Sequence, residues 1–173
     1  MKDKAIIPTG VDRPLREGDY IISTTDMSGR ITAANAVLVD YSGYTEEELL
    51  GNQHNIVRHP DMPRSVFWLA WETIRGGEDF HGYIKNLSRD GRHYWVHAHI
   101  APLHDEQGEP SGYRSVRRKP KQVAVDAIDA LYARMREAEE AAGPRDAIEA
   151  GLAVLRAELA SRKASYEELV ASL

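Results

Sequence analysis

The sequence predicts an α+β fold: a five-stranded antiparallel sheet with short helices on one face, followed by C-terminal helices. Three observations predict it. The elements run in the order two strands, short helices, one longer helix, three strands. Turn chemistry separates consecutive strands. After Pro120 the composition shifts to an Ala-, Glu- and Arg-rich helical pattern.

Residues 1–19 read as a lead-in arm, broken by Pro8, Gly10, Pro14 and Gly18. Ile6, Ile7, Val11 and Leu15 are its docking residues. Residues 20–118 read as one domain. Tyr20 to Asp26 is rich in β-branched residues and predicts a strand. Asp26-Met27-Ser28-Gly29 is turn chemistry, and Arg30 to Ala34 returns as the second strand. Asn35 is a good N-cap for a short apolar helix that ends at Ser42-Gly43. Thr45 with Glu48 forms a capping box, and Gly51 is the stop. From Arg64 to Arg75, Val66, Phe67, Ala70, Trp71 and Ile74 fall at helical spacing on one face. Gly76-Gly77 ends that helix. Phe80 to Ser88, Tyr94 to Ile100 and Ser111 to Arg117 are the last three strands. The space between such a sheet and its helical cover is a natural ligand pocket.

Residues 119–173 read as a helical segment. Ile128, Leu131, Tyr132 and Met135 form an apolar stripe, and Gly143-Pro144 interrupts it. Ile148, Leu152, Leu155 and Leu159 resume at steps of four and three, which predicts helix–helix pairing within the chain or between two copies.

The bulk numbers exclude whole classes. The chain has 173 residues, 42% hydrophobic and 28% charged, enough for a sizeable core. Its net charge of -5 argues against a nucleic-acid binder. The absence of cysteine excludes disulfides, thiolate metal sites, cysteine nucleophiles and cysteinyl photochemistry. The N-terminus lacks an apolar signal region, and no run approaches the ~20 apolar residues of a membrane span. The expectation is a cytoplasmic protein.

His54-Asn55-Ile56-Val57-Arg58-His59-Pro60-Asp61-Met62-Pro63 puts a guanidinium, imidazoles, amide and carboxylate on a backbone that two prolines stiffen. This stretch is expected to lie over the core and face something bound there. The plainer reading is a surface loop in which Arg58 pairs with Asp61, worth ~0.2–1 kcal/mol. The chain has seven histidines. His97 and His99 share a strand face and, with His93 or His104, have the types for a zinc or iron site. No acidic residue stands beside them at familiar ligand spacing, and solvent-facing histidines are the plainer reading. There is no Gly-x-Ser-x-Gly elbow and no glycine-rich phosphate loop, so no enzymatic activity is expected.

Ser23-Thr24-Thr25-Asp26, Ile31 through Asn35, Ser42-Gly43-Tyr44-Thr45, Glu48-Leu49, His54 through Pro63, Lys85-Asn86 and His93-Tyr94-Trp95-Val96 together resemble a PAS domain, of the bacterial aerotaxis-receptor type. The resemblance implies the PAS fold over residues 20–118. It implies non-covalently bound FAD used as a redox sensor. On it, Asn35, Arg58, His59 and Asp61 match residues tied to FAD binding, and Asn86 matches an amide that meets the isoalloxazine edge. Phe80 stands where the family has a tryptophan beside the ring, and Ala70 where such receptors have an aspartate. The Phe80 departure leaves FMN open. Trp71 reads equally as pocket wall and as core. The resemblance also implies a downstream signalling partner in signal transduction or aerotaxis. A homodimer through the arm or the C-terminal helices is expected, with no nucleic acid and no membrane span. Two other readings stand beside it: a haem-binding gas sensor with an axial histidine, and a cofactor-free dimerisation or adaptor module.

Overall fold

The computed structural model describes residues 6–173. Strands β1 (Tyr20–Thr25) and β2 (Ile31–Ala34) form the expected hairpin. Asp26 organises its turn: one carboxylate oxygen accepts from Ser28 N, Ser28 Oγ and Arg30 N. Helix α1 (Ala36–Ser42) starts at Asn35, whose side chain accepts from Leu38 N, and stops at left-handed Gly43. Helix α2 (Glu46–Leu49) carries the Thr45–Glu48 capping box. A single 3₁₀ turn, His54–Val57, leads to α3 (Arg64–Arg75).

Strands β3 (Phe80–Leu87), β4 (His93–His104) and β5 (Pro110–Arg118) complete the sheet. Its order is β2-β1-β5-β4-β3, antiparallel throughout. The first strand therefore sits beside the last, with Ser23 opposite Ser115. Side chains alternate across this sheet. Ile84, Asn86, Ile100, Ser115 and Arg117 face the short helices. Tyr83, Lys85, Trp95 and His97 face the other way.

That outer face is covered by the C-terminal tail. Helix α4 (Gln122–Arg162) is two arms, because Gly143 adopts φ 76, ψ 173 and Pro144 follows it. Ile128, Leu131, Tyr132 and Met135 of the first arm are buried in the same core as Tyr83 and Trp95. Tyr132 Oη donates to Tyr83 O at 2.8 Å. The second arm returns alongside the first: Arg134 pairs with Glu158 at 2.8 Å, and Leu152 and Leu155 are buried. The helix pairing expected from the leucine spacing is thus intramolecular, a hairpin folded on its own sheet. Helix α5 (Tyr166–Ser172) closes over β3, the edge strand, where Tyr83 Oη donates to Val170 O. Covering this edge removes a row of unpaired backbone groups from water.

The described part of the arm docks on the same chain. Thr9 N and Arg13 N donate to Gly91 O and His93 O, and Leu15 is buried. Ile7 and Val11 stay exposed.

Candidate functional site

Between the sheet and its helical cover lies a cavity of about 200 Å³. Its walls are mixed by origin. The sheet contributes Ser23, Ile84, Asn86, Ile100, Tyr113 and Arg117. Helix α3 contributes Phe67, Ala70, Trp71 and Ile74, and the loop before it contributes His54 and Arg58. Gly29, in the first hairpin, also lines it. A Cβ there would stand 3.0 Å from two Trp71 ring carbons, so glycine lets that ring lie close. Trp71 in turn meets Tyr113 edge-on at 5.5 Å.

The polar groups of this cavity are poorly matched by the protein itself. Asn86 is buried, and its amide nitrogen has no hydrogen-bond partner. Arg117 is 2% exposed. It donates through Nη2 to Ser23 Oγ, its Nε has no partner, and no carboxylate pairs with it among the described residues. Burial pulls its pKa down to about 10. His54 Nε2 lies 3.0 Å from Ser23 Oγ. Burial, with the Arg117 charge, pushes the His54 imidazole down to about 3, so it is neutral at ordinary pH. Arg58 stacks over the Phe67 ring at 4.2 Å and donates to Met62 O at 3.1 Å. Its backbone bridges to Asn86.

Asn55 also lines the cavity, whereas His59 and Asp61 turn to the other side. His59 is 2% exposed, and its Nδ1 accepts from Asp61 N at 3.0 Å. Burial, then the Lys85 charge, pushes it down to about 4. Asp61 is a hub: Lys85 Nζ lies 2.8 Å from it and Arg136 of α4 3.3 Å. Burial opposes its charge, but Lys85 and its other cationic neighbours outweigh that and hold its pKa below the usual value. The Arg58–Asp61 surface pair of the plainer reading is therefore corrected. The proline-stiffened backbone sends the two side chains to opposite sides, and Lys85 takes the carboxylate.

Of the residues singled out in the sequence, Arg58, Trp71 and Asn86 meet at the cavity. Asn35 is spent on backbone, taking Ile22 N and Leu38 N and giving to Tyr20 O. Phe80 is buried beside Ala70 and Ile74 and stacks on Tyr166 at 5.8 Å. Sequence reasoning placed His54 in the stretch expected to face an occupant but gave it no role, and it missed Arg117, Ser23 and Phe67 as lining residues. The signal for Arg117 was present, since Tyr113, Ser115 and Arg117 share a parity on an alternating strand. Of the suggested metal histidines, His97 stacks on Tyr83 at 4.7 Å, and neither His93 nor His104 joins it with His99.

A twisted antiparallel sheet whose covered face encloses a cavity with free donors defines a cavity-bearing α+β domain. The chain belongs to the PAS family: the family profile described as PAS fold matches residues 31–117. Its sequence is 43% identical to the aerotaxis receptor of Escherichia coli over 124 residues, covering 72% of this chain and 24% of that protein. It is 36% identical to the biofilm dispersion protein BdlA of Pseudomonas aeruginosa over 48% of this chain and 20% of that one. The chain thus spans about a quarter or less of the curated relatives it matches. A light-oxygen-voltage domain studied with a flavin analogue shares the fold, with a TM-score of 0.56, 24% identity, and coverage of 63% of this chain and 82% of that one. Among the described residues no helix is long and apolar enough to cross a membrane.

Proposed function

We propose that this chain binds FAD non-covalently in the cavity and reports redox state or oxygen to a partner protein, in the cytoplasm and without an enzymatic reaction of its own. The observation that carries this reading is the set of unmatched buried polar atoms on the lining residues, Asn86 Nδ2, Arg117 Nε and Tyr113 Oη, in a mainly apolar cavity. Unmatched buried donors are costly unless an occupant supplies acceptors. A planar ring with apolar faces and an acceptor-rich edge does so. The volume is below the ~300–1,000 Å³ of common ligand sites, so it suits the ring of a flavin and not its whole length. The choice of FAD follows what the resemblance to aerotaxis-type PAS domains implies, and the 43% identity to the aerotaxis receptor supports that resemblance.

When bound, FAD supplies reversible electron uptake. The chain's residues do the rest. Phe67, Trp71, Ile84 and Ile100 keep water from the ring. Arg58 and Arg117 favour negative charge on the occupant by Coulomb attraction that the low dielectric strengthens. Asn86 can donate or accept, so its amide can meet either an acceptor or a donor on the edge of a bound ring. Asn35, His59, Asp61 and Phe80 hold the elements that carry these groups. Lys85, next to Asn86 on β3, grips Asp61, which Arg136 of α4 also holds. A shift of Asn86 thereby reaches the C-terminal helix, the natural port to a signalling partner. A haem reading needs an axial histidine, and the one histidine lining the cavity, His54, is already engaged with Ser23.

The absorption spectrum of the purified protein tests this. Oxidised-flavin bands are expected, with FAD and not FMN released on denaturation. Arg58→Ala should empty the site, and Asp61→Ala, which frees Lys85 beside Asn86, should weaken retention. Colourless protein that rejects added FAD, or a Soret band, overturns the proposal.

A further inference from the structure

The outer face of the sheet brings together three metal-ligand side chains that the cavity does not use. Asp79 lies in the link between α3 and β3. His81 is on β3, directly opposite His99 on β4. Their rings are parallel, with centroids 4.3 Å apart and planes within 5°. His99 Nε2 lies 2.6 Å from Asp79 Oδ2. One ligand atom from each of the three lies within 4.8 Å of the others. We propose that Asp79, His81 and His99 form a binding site for a divalent transition-metal ion of the zinc class, through two imidazole nitrogens and one carboxylate oxygen.

A hydrogen bond accounts for Asp79 with His99 but leaves His81 out. Among the described residues no protein group hydrogen-bonds His81; its ring stacks on His99 and tilts against His97, with the Asp79 and Arg118 charges nearby. The carboxylate and the two parallel imidazoles each keep a lone pair for a cation, which would engage His81 as well as the hydrogen-bonded pair. Imidazole with carboxylate suits zinc, nickel or copper and not the all-oxygen shells of magnesium and calcium. Metal–ligand bonds of ~2.0–2.2 Å bring donors to within about 3.5 Å of one another. Rotation of three half- or fully exposed side chains closes that gap, because the β3–β4 ladder already fixes the histidines. The remaining position is open to water or to a ligand from another molecule. An ion here would tie the end of α3, which carries Trp71, to β4, where Ile100 lines the cavity beside His99. The site does not depend on what fills the cavity.

Calorimetric titration of the tag-free, chelator-treated full chain with ZnCl₂ tests the site. One equivalent should bind. Asp79→Ala, His81→Ala and His99→Ala should each weaken binding by about tenfold or more, and His104→Ala should leave it unchanged. Magnetic resonance of the unsubstituted chain gives a second reading: Zn²⁺ should shift the His81 and His99 ring protons and leave those of His104 in place. No saturable binding, binding that survives all three substitutions, or unshifted His81 and His99 resonances overturns the proposal.

Discussion

The two faces of the sheet differ in how they treat polar groups. On the outer face, beneath α4, most charges and donors are matched, although His97 Nε2 and Arg136 Nε lack partners. Asp61 is shared by Lys85 and Arg136, and the Tyr132 hydroxyl donates to Tyr83 O. Where α4 passes the start of α3, Glu139 accepts from Arg64 N and Ser65 N, each at 2.9 Å. That carboxylate does the work of a missing N-cap, since Pro63 in the cap position has no side-chain acceptor. On the inner face, Asn86 and Arg117 are left without full partners. The better-matched face is the more firmly held, and an occupant of the cavity would satisfy the groups left over on the other.

Four measurements break or sharpen that contrast. The largest effect should come from Met135→Ala, which removes a fully buried side chain between helix and sheet. It should cost about 3 kcal/mol in urea unfolding, through lost burial and an unfilled cavity. Glu139→Ala should cost about 2 kcal/mol by the same assay, as the α3 N-terminus loses its acceptors. The third measurement is pH. His54 and His59 titrate at about 3 and about 4 in the folded chain, and at ~6.5 unfolded. Their contribution is complete above pH ~6.5 and is lost as pH falls from there toward 4, because the unfolded chain binds the protons first. The unfolding free energy read from urea titrations should fall over that window, by about 1.4 kcal/mol per pH unit for each histidine. His54→Gln should make the slope shallower by one histidine. The smallest effect has the opposite sign. Arg117→Met should stabilise the empty protein by about 1 kcal/mol, since it removes a buried charge without a counter-ion. The same substitution should weaken retention of any bound flavin. Destabilisation of the empty protein would show that Arg117 serves the fold and not an occupant.

Much of the architecture was legible because its signals are local. Asn35, the Thr45–Glu48 box and Gly143-Pro144 act on backbone groups within a turn of themselves, and each sits where the spacing placed it. The site was legible in part. Arg58, Asn86 and Trp71 reach the cavity, whereas Asp61, three residues after Arg58, goes to Lys85 on the opposite side. Pattern reading joined them because they are adjacent in the chain. Arg117 escaped notice because a charged residue at a strand end usually meets water. Here β1 and β4 flank it, and Ile21 and Ala98 stand opposite. Asp79 and His81 escaped for a related reason: they join His99 only through the β3–β4 register.

Local chemistry in the chain determined which segments became strands and helices, where each began and stopped, and that the helices would pair. Capping, turn geometry and apolar periodicity act over a few residues and need no distant partner. Tertiary structure alone decided that β5 lies between β1 and β4, which puts Arg117 in a cavity wall. It also decided that α4 folds back over the sheet, which draws Asp61 and Glu139 to its side. Those outcomes depend on long-range burial, which sets register and strand order through contacts between residues far apart in the chain.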